Sequence, residues 1–343
     1  STNSDCACVV DGDLLSLLLP PLLLTEFVLG VLGNGLALWI FCFHLKPWKS
    51  STVFLFNLAL ADFLLNLALP FRASYYFSGI NWGFGDAFCN ISLFTLAMNR
   101  GGSVFFLMAI AVDRYMRVVH PHHPINSMSP LQAVCCAAGL WVLTISLNVH
   151  LLTKSHHFKA GNSIKCESFT HKDRLHSTVF FLEFLLSLGI ILFCTKQISN
   201  QLQVRGLVKE VRICRVQKCL RLVTVIFIIC FLPSNFTWVL IWLRNKGEVS
   251  ITSERDCNIQ KALDTTFYIT ISLTYLNSML DPVVYCFFSP SFKKICKKVL
   301  KLDFTFMKQG GQQIYLKLYL CLYLNLNLFL SHQHGLPHLT QAS

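Results

Sequence analysis

The chain has 343 residues, 54% of them hydrophobic and only 13% charged, with a mean hydropathy of +0.53. A soluble domain carries about 25% charged residues, so the composition excludes a pair of soluble domains and argues for one bundle of membrane-spanning helices. The net charge of +12 comes without zinc-finger spacing or a separate basic domain, which speaks against a nucleic-acid partner and assigns much of that charge to a membrane face.

A membrane span needs roughly 20 consecutive, mostly apolar residues. Seven stretches qualify, at about 16–43, 52–77, 87–117, 132–152, 177–202, 219–243 and 261–287. They predict an all-α protein, a seven-transmembrane helix bundle spanning 16–288 with a short amphipathic helix after the last span. The segment before the first span, 1–15, lacks Lys and Arg, and the chain begins with Ser1, which points to an incomplete or trimmed N-terminus. The first stretch is too long for a signal peptide, has no basic flank and carries Glu26.

Ionisable and polar residues inside spans are costly and are functional candidates by default. Span one brings Asn34, span two Asp62 and span seven Asp281, together a polar network. Such a network suits a proton or cation path in a transporter and equally a structural hinge. Span two ends near Arg72, and span three runs from Cys89 through Arg100 to Asp113-Arg114-Tyr115. Arg114 alone reads as a snorkelling arginine at a membrane boundary. The adjacent Asp113 adds a carboxylate able to restrain it, a breakable pair suited to a switch. Pro233 and Pro282, within spans six and seven, each remove a backbone donor and favour a kink.

Of the 15 cysteines, Cys6, Cys8, Cys89, Cys166 and Cys257 fall on one side of the predicted membrane. Five is odd, so at most two bridges form among them, and sequence alone does not give the connectivity. No Cys/His pattern has metal-site spacing, and neither a metal nor a cofactor is expected. Lys46 and Lys49, the basic connection 203–221 and the lysines at 293–301 contrast with the 1–15 and 78–86 segments, which have no Lys or Arg. The positive-inside rule then places the N-terminus outside and the C-terminus inside, although the 153–176 and 244–260 loops are also fairly basic. After span seven, "SPSFKKICKKVLKL" reads as a basic amphipathic helix at 289–302 on the lipid surface, with Cys296 a candidate for lipidation. In the tail, 303–343, Leu takes every second position of 316–330, a strand-like period that points to a translated simple-sequence repeat or an incorrect gene model.

Several motifs occur in order, each on its own span: Gly33-Asn34, Leu58-Ala59-x-Ala61-Asp62, Asp113-Arg114-Tyr115, Trp141, Cys230-Phe231-x-Pro233 and Asp281-Pro282-x-x-Tyr285. The set resembles the rhodopsin-like (class A) G-protein-coupled receptors over about 15–302. "LGNGLALWIFCFHLK", "LAMNRGGS", "DRYMRVVHPHHP", "LEFLLSLGIILFC" and "TYLNSMLDPVVY" are similar to the hydroxycarboxylic acid receptors, and "LPFR" and "CESF" look most like their lactate-receptor branch.

The resemblance implies a plasma-membrane receptor, not an enzyme. It implies activation by a small hydroxycarboxylic or monocarboxylic acid and signalling through Gi/o to lower cyclic AMP, with arrestin as a further partner. Helical geometry puts Arg100 roughly 16 Å below Cys89 and about 21 Å above Arg114. A cation at a helix centre costs about 2.5–3.5 kcal/mol on insertion scales, and its planar fork matches a carboxylate. The bland alternative is an ion pair with Glu26 or Glu183. By resemblance Arg100 holds the ligand carboxylate and Tyr275 donates to it. Arg72 either clamps the acid or snorkels, and Glu167 and Ser168 sit on a lid loop. Asn34, Asp62, Asp113, Arg114, Tyr115, Phe231, Pro233, Asp281, Pro282 and Tyr285 form the activation machinery. Cys89 opens span three and Cys166 lies in the loop between spans four and five, so a bridge between them, one of the pairings left open, would pin that loop over the bundle; the resemblance adds a bridge from Cys6 or Cys8 to Cys257.

Departures matter. Trp238 stands where the lactate receptor has an arginine, Ser187 where the family has proline and Phe231 where CWxP has tryptophan. Trp238 therefore predicts an aromatic wall and opens the choice to a longer hydroxy or oxidised fatty acid. An organic-acid transporter is the rival class, opposed by the lack of internal repeats and interrupted half-helices.

Overall fold

The computed structural model describes residues 12–160, 163–169, 174–204, 211–246 and 254–306. Two compact units are present, 1–292 and 293–343. In the first, the spans are α1 (Gly12–Phe43), α2 (Ser50–Phe77), α3 (Asp86–Val119), α4 (Pro130–Asn148) with its one-turn continuation α5 (His150–Thr153), α6 (Arg174–Val204), α7 (Val211–Lys246) and α8 (Glu254–Phe288). Six of the described helices are long and apolar enough to cross a membrane. The remaining bundle helix, α8, is diluted by polar residues that it turns inward: Ser272, Thr274, Asn277, Ser278 and Asp281 are all buried. Helix α9 (Pro290–Phe306) follows and extends a turn beyond the predicted 302. Ile295, Cys296 and Val299 fall on one stripe of it, while Lys294, Lys297 and Lys298 are exposed. The alternating-leucine tail lies outside the described residues.

Helix α3 sits at the centre, packed against α2, α4, α6, α7 and α8. Its buried run explains why: Gly101, Gly102, Ser103 and Val104 present small side chains that let neighbours close in. A Cβ on Gly102 would meet Trp141 at 3.4 Å, and one on Gly101 would meet the Glu183 carboxylate at 3.0 Å. Trp141 Nε1 donates to Asn57 at 2.9 Å, tying α4 to α2. A capping box between Ser129 and Gln132, with Pro130 at the first helical position, starts α4. Large apolar side chains stay exposed around the rim, among them Leu17, Leu131, Val142 and Phe193. That is the surface of a protein whose solvent is lipid.

One end of the bundle is closed by an antiparallel hairpin of β1 (His157–Ala160) and β2 (Ser163–Cys166), in register from His157↔Cys166 to Ala160↔Ser163. A Cys89–Cys166 disulfide fastens β2 to the start of α3. Backbone bonds add to it: Trp82 N donates to the Ile164 carbonyl at 2.7 Å, and Ile164 N to Asn81 at 2.9 Å. Cys257, at the start of α8, is also disulfide-bonded; Cys6 and Cys8 lie outside the described residues.

Candidate ligand cavity

Beneath the hairpin lies a cavity of about 390 Å³, including its opening to solvent. Helix α3 lines it with Leu93, Leu96, Ala97 and Arg100, a helical i, i+3, i+4, i+7 stripe. Helix α8 contributes Phe267, Tyr268, Ile271 and Tyr275 at the same kind of spacing. Helix α2 adds Arg72, α6 adds His176, and the segment after β2 adds Glu167, Ser168 and Phe169. The lining is apolar and aromatic with a few convergent polar groups, the make-up of a small-molecule pocket.

Arg100 is 4% exposed, and its Nη2 has no hydrogen-bond partner. Its guanidinium rests on the Phe180 ring at 4.5 Å. Among the described residues it forms no direct ion pair with Glu26 or Glu183, although the Glu183 carboxylate is near enough to attract it. Both Glu26 oxygens and Glu183 Oε1 are themselves buried without hydrogen-bond partners. A buried donor left open costs free energy unless something accepts from it, and an acid entering the cavity offers that acceptor.

Arg72 is neither snorkelling nor open. Its Nη1 donates to the Cys166 carbonyl at 2.8 Å, and Nη2 pairs with Glu167 at 3.0 Å. Tyr75 donates to the other Glu167 oxygen at 2.7 Å. The sequence reading offered Arg72 as a clamp or a snorkelling residue; here it latches the lid. Trp238 also needs correction, because it does not line the cavity. It packs behind Phe169 (5.5 Å) and Phe267 (5.4 Å), which do. The Phe169 and Phe267 rings stand between it and the cavity, so it buttresses them. His176 was missed; it lies against Phe169 at 4.6 Å and near His150 at 5.6 Å. Nothing in its local sequence marks it, since only the return of α6 beneath the lid brings it to the cavity. Tyr268 and Ile271 were legible in principle from their helical spacing with Tyr275.

Below the cavity the polar residues of four spans meet. Tyr285 donates to Asn34 Oδ1 at 2.8 Å and lies 3.1 Å from Asp62 Oδ2. Asn34 donates to the Ser278 carbonyl at 2.8 Å, and Asn66 to the Ser278 hydroxyl at 3.1 Å. Asn277 donates to Asp281 at 3.1 Å, and Ser103 lies 3.4 Å from the same oxygen. The Asp62 side chain also interacts with those of Asp281 and Ser103, so the predicted trio of Asn34, Asp62 and Asp281 is one network, joined by Asn66, Ser103, Asn277 and Ser278, which sequence reading had not named. Phe231, two residues before Pro233, stacks on Phe227 at 4.6 Å. Near Pro233, Ser234 and Asn235 donate to the Phe231 carbonyl at 3.0 and 2.9 Å. Pro282 lies inside α8.

At the far end of α3, Asp113 and Arg114 pair only loosely, at 3.6 Å. The tight partner of Asp113 is Arg117, one turn on, whose Nε reaches both carboxylate oxygens at 3.0 and 3.1 Å and whose Nη2 donates to Ser50 at 2.8 Å. The i, i+4 spacing of Asp113 and Arg117 was the available signal. Arg114 lies over the Phe288 ring at 5.3 Å, and the Tyr115 hydroxyl is 3.0 Å from His120 Nε2.

A seven-helix bundle, a lidded cavity with an open cation and a polar network leading to an Asp-Arg-Tyr end define a heptahelical receptor. Residues 33–285 match the profile of the 7 transmembrane receptor (rhodopsin family), and the chain belongs to that family. It is a multi-pass membrane protein and not an enzyme. It is 49% identical to hydroxycarboxylic acid receptor 3 of Homo sapiens over 83% of this chain and 73% of that protein. It is 45% identical to human hydroxycarboxylic acid receptor 1 over 90% and 87% of the two chains. With human oxoeicosanoid receptor 1 the identity is 40%, over 85% and 74%. The identities set it among receptors of the hydroxycarboxylic acid type without favouring the branch that "LPFR" and "CESF" suggested.

Proposed function

We propose that this receptor is activated by a small hydroxycarboxylic or monocarboxylic acid, of lactate-like size, and signals through a Gi/o protein to lower cyclic AMP. The observation that carries the ligand class is Arg100, a buried cation with an open donor in an otherwise aromatic cavity. A carboxylate fits that donor set, with Tyr275 and Ser168 placed in the lining to bond its remaining oxygens or a hydroxyl. The cavity is small and closed by a disulfide-fastened lid, which supports a short acid. The Gi/o class and arrestin as a further partner rest on the resemblance. The distribution of Lys and Arg supports an extracellular lid and a cytoplasmic Asp-Arg-Tyr end at the plasma membrane.

In this reading the bound acid draws α3, α8 and the lid together. The α7 and α8 segments around Pro233 and Pro282 pivot, Arg114 leaves Asp113, and the cytoplasmic end opens to the G protein. The ligand shifts the population by its differential affinity for the active arrangement. The aromatic wall of Phe169 and Phe267, backed by Trp238, favours a second reading, a longer hydroxy or oxidised fatty acid whose chain lies on the two lining rings; the 40% identity to an oxoeicosanoid receptor accords with it. The test is ligand-dependent nucleotide exchange on Gi, with cyclic AMP as a cellular readout, across lactate, 3-hydroxybutyrate, nicotinate and hydroxy acids of increasing length. Maximal potency among the short acids supports the first reading, and potency rising with chain length supports the second. No exchange with any of them sinks both, and carboxylate uptake by vesicles without G protein would make the protein a transporter.

A further inference from the structure

The cavity is lined by two arginines, yet only one has room for an incoming carboxylate. We infer that the receptor is restricted to monocarboxylates and that Glu167 sets the restriction; the inference rests on the carboxylate-receptor reading above. Glu167 occupies on Arg72 the place a ligand carboxylate would take. One of its oxygens is 3.0 Å from Arg72 Nη2, and the other accepts from Tyr75 at 2.7 Å. Both partners are buried, Arg72 at 7% and Glu167 at 5% exposure. Arg72 is held from the other side by the Cys166 carbonyl at 2.8 Å, and its guanidinium lies over Tyr75 and Tyr76 at 4.8 and 5.1 Å.

Glu167 cannot easily swing out. Its neighbour Cys166 is bridged to Cys89, and its own backbone N donates to the His156 carbonyl at 3.2 Å. A ligand that took Arg72 would leave Glu167 as a buried carboxylate without its counter-ion, held by Tyr75 alone, which costs more than the new pair returns. Arg100 carries no such penalty. A diacid that seats one carboxylate on Arg100 must bring the other into a small, desolvated space already holding the Glu167 charge. Because Glu167 already neutralises Arg72, no free cation there offsets the cost of desolvating the second carboxylate. A monocarboxylate incurs no such cost, whatever the state of Glu183, which lies outside the lining and is common to both cases.

Glu167→Gln keeps the side-chain volume and an acceptor oxygen for Tyr75 or Arg72 but removes the charge. It turns Arg72 into a second open cation, and the site then accepts diacids. The experiment measures Gi nucleotide exchange and cyclic AMP at one neutral pH in cells with quantified surface receptor. Wild type, Glu167→Gln and Arg72→Gln/Glu167→Gln receptors are compared, with lactate and 3-hydroxybutyrate set against malate, succinate and glutarate. Wild type is expected to respond to a monocarboxylate and to be silent to the diacids. Glu167→Gln should gain roughly ten- to hundredfold in diacid potency, the return of one charge-assisted bond, and the double variant should lose that gain. Glu167→Ser removes the same charge and serves if the Gln variant stays inside the cell. Equal wild-type potency for malate and lactate overturns the inference, as does a surface-expressed charge-free variant with no diacid gain. A wild type silent to every monocarboxylate overturns the receptor reading and this inference with it, whereas the two preceding outcomes leave that reading standing.

Discussion

Replacing Arg100 with alanine separates binding from folding more cleanly than any other change in the bundle. Arg100 has no direct ion pair among the described residues, only the attraction of the nearby Glu183 carboxylate, and its guanidinium rests on the Phe180 face at 4.5 Å, a cation–π contact of about 0.5–2 kcal/mol. Removing it forfeits that contact but also removes an intramembrane arginine that costs about 2.5–3.5 kcal/mol at a helix centre. The two nearly offset, so Arg100→Ala should reach the cell surface at close to the wild-type level. With a carboxylate bound, the variant loses two charge-assisted hydrogen bonds of about 1.5–3 kcal/mol each, so potency should fall roughly a hundred- to ten-thousandfold. Arg100→Lys keeps the charge but not the fork and should fall about tenfold. Dose–response curves for cyclic AMP, normalised to surface receptor, measure both. An Arg100→Ala receptor at the surface with potency within about threefold of wild type would falsify the anchoring role.

Three further outcomes follow from the packing. Because Trp238 lies behind Phe169 and Phe267, Trp238→Ala should loosen the wall and lower potency for short and long acids alike, by about three- to tenfold; a loss confined to long acids in the same dose–response panel would contradict that placement. Asp113→Asn weakens the bonds to Arg117 and the looser contact to Arg114, so basal nucleotide exchange without ligand should rise several-fold, about what 1 kcal/mol of lost restraint gives. Unchanged basal exchange would show that the pair does not hold the inactive arrangement. A Cβ on Gly30 would overlap the Asn66 side chain, so Gly30→Ala should push Asn66 off Ser278 at a cost of about 1–3 kcal/mol. A melting temperature in detergent equal to wild type would show that α1 and α2 have slack there.

How much was legible depended on what kind of signal each residue left. The spans were, because a helix in lipid must satisfy its own backbone and turn apolar side chains outward, and that requirement shapes the composition of 20-residue windows. Span seven was the least apolar for the same reason in reverse: Asn277, Ser278 and Asp281 face a buried network rather than lipid. Arg100 was legible as an anomaly, a charge where charge is costly. Its stripe with Leu93, Leu96 and Ala97 was available from helical periodicity once Arg100 was taken to face inward. The Asp113–Arg114 pair was legible from adjacency and is present at 3.6 Å; the tighter bond to Arg117 follows from the i, i+4 spacing on the helix surface.

By itself, then, the sequence determined the class: seven lipid-compatible helices, an ordered set of motifs, arginines inside spans two and three and a cysteine in the loop after span four. Those properties are local, set by side-chain type and by a fixed rise and turn per residue. Only the tertiary structure decided which of two arginines is open. Arg72 and Glu167 are 95 residues apart, and nothing in either neighbourhood says that the lid brings them to 3.0 Å. The same holds for Trp238 standing one layer back and for His176 entering the lining. Charge compensation and layering are properties of distances between elements, and those distances exist only once the helices have packed around α3 and the lid has closed over them.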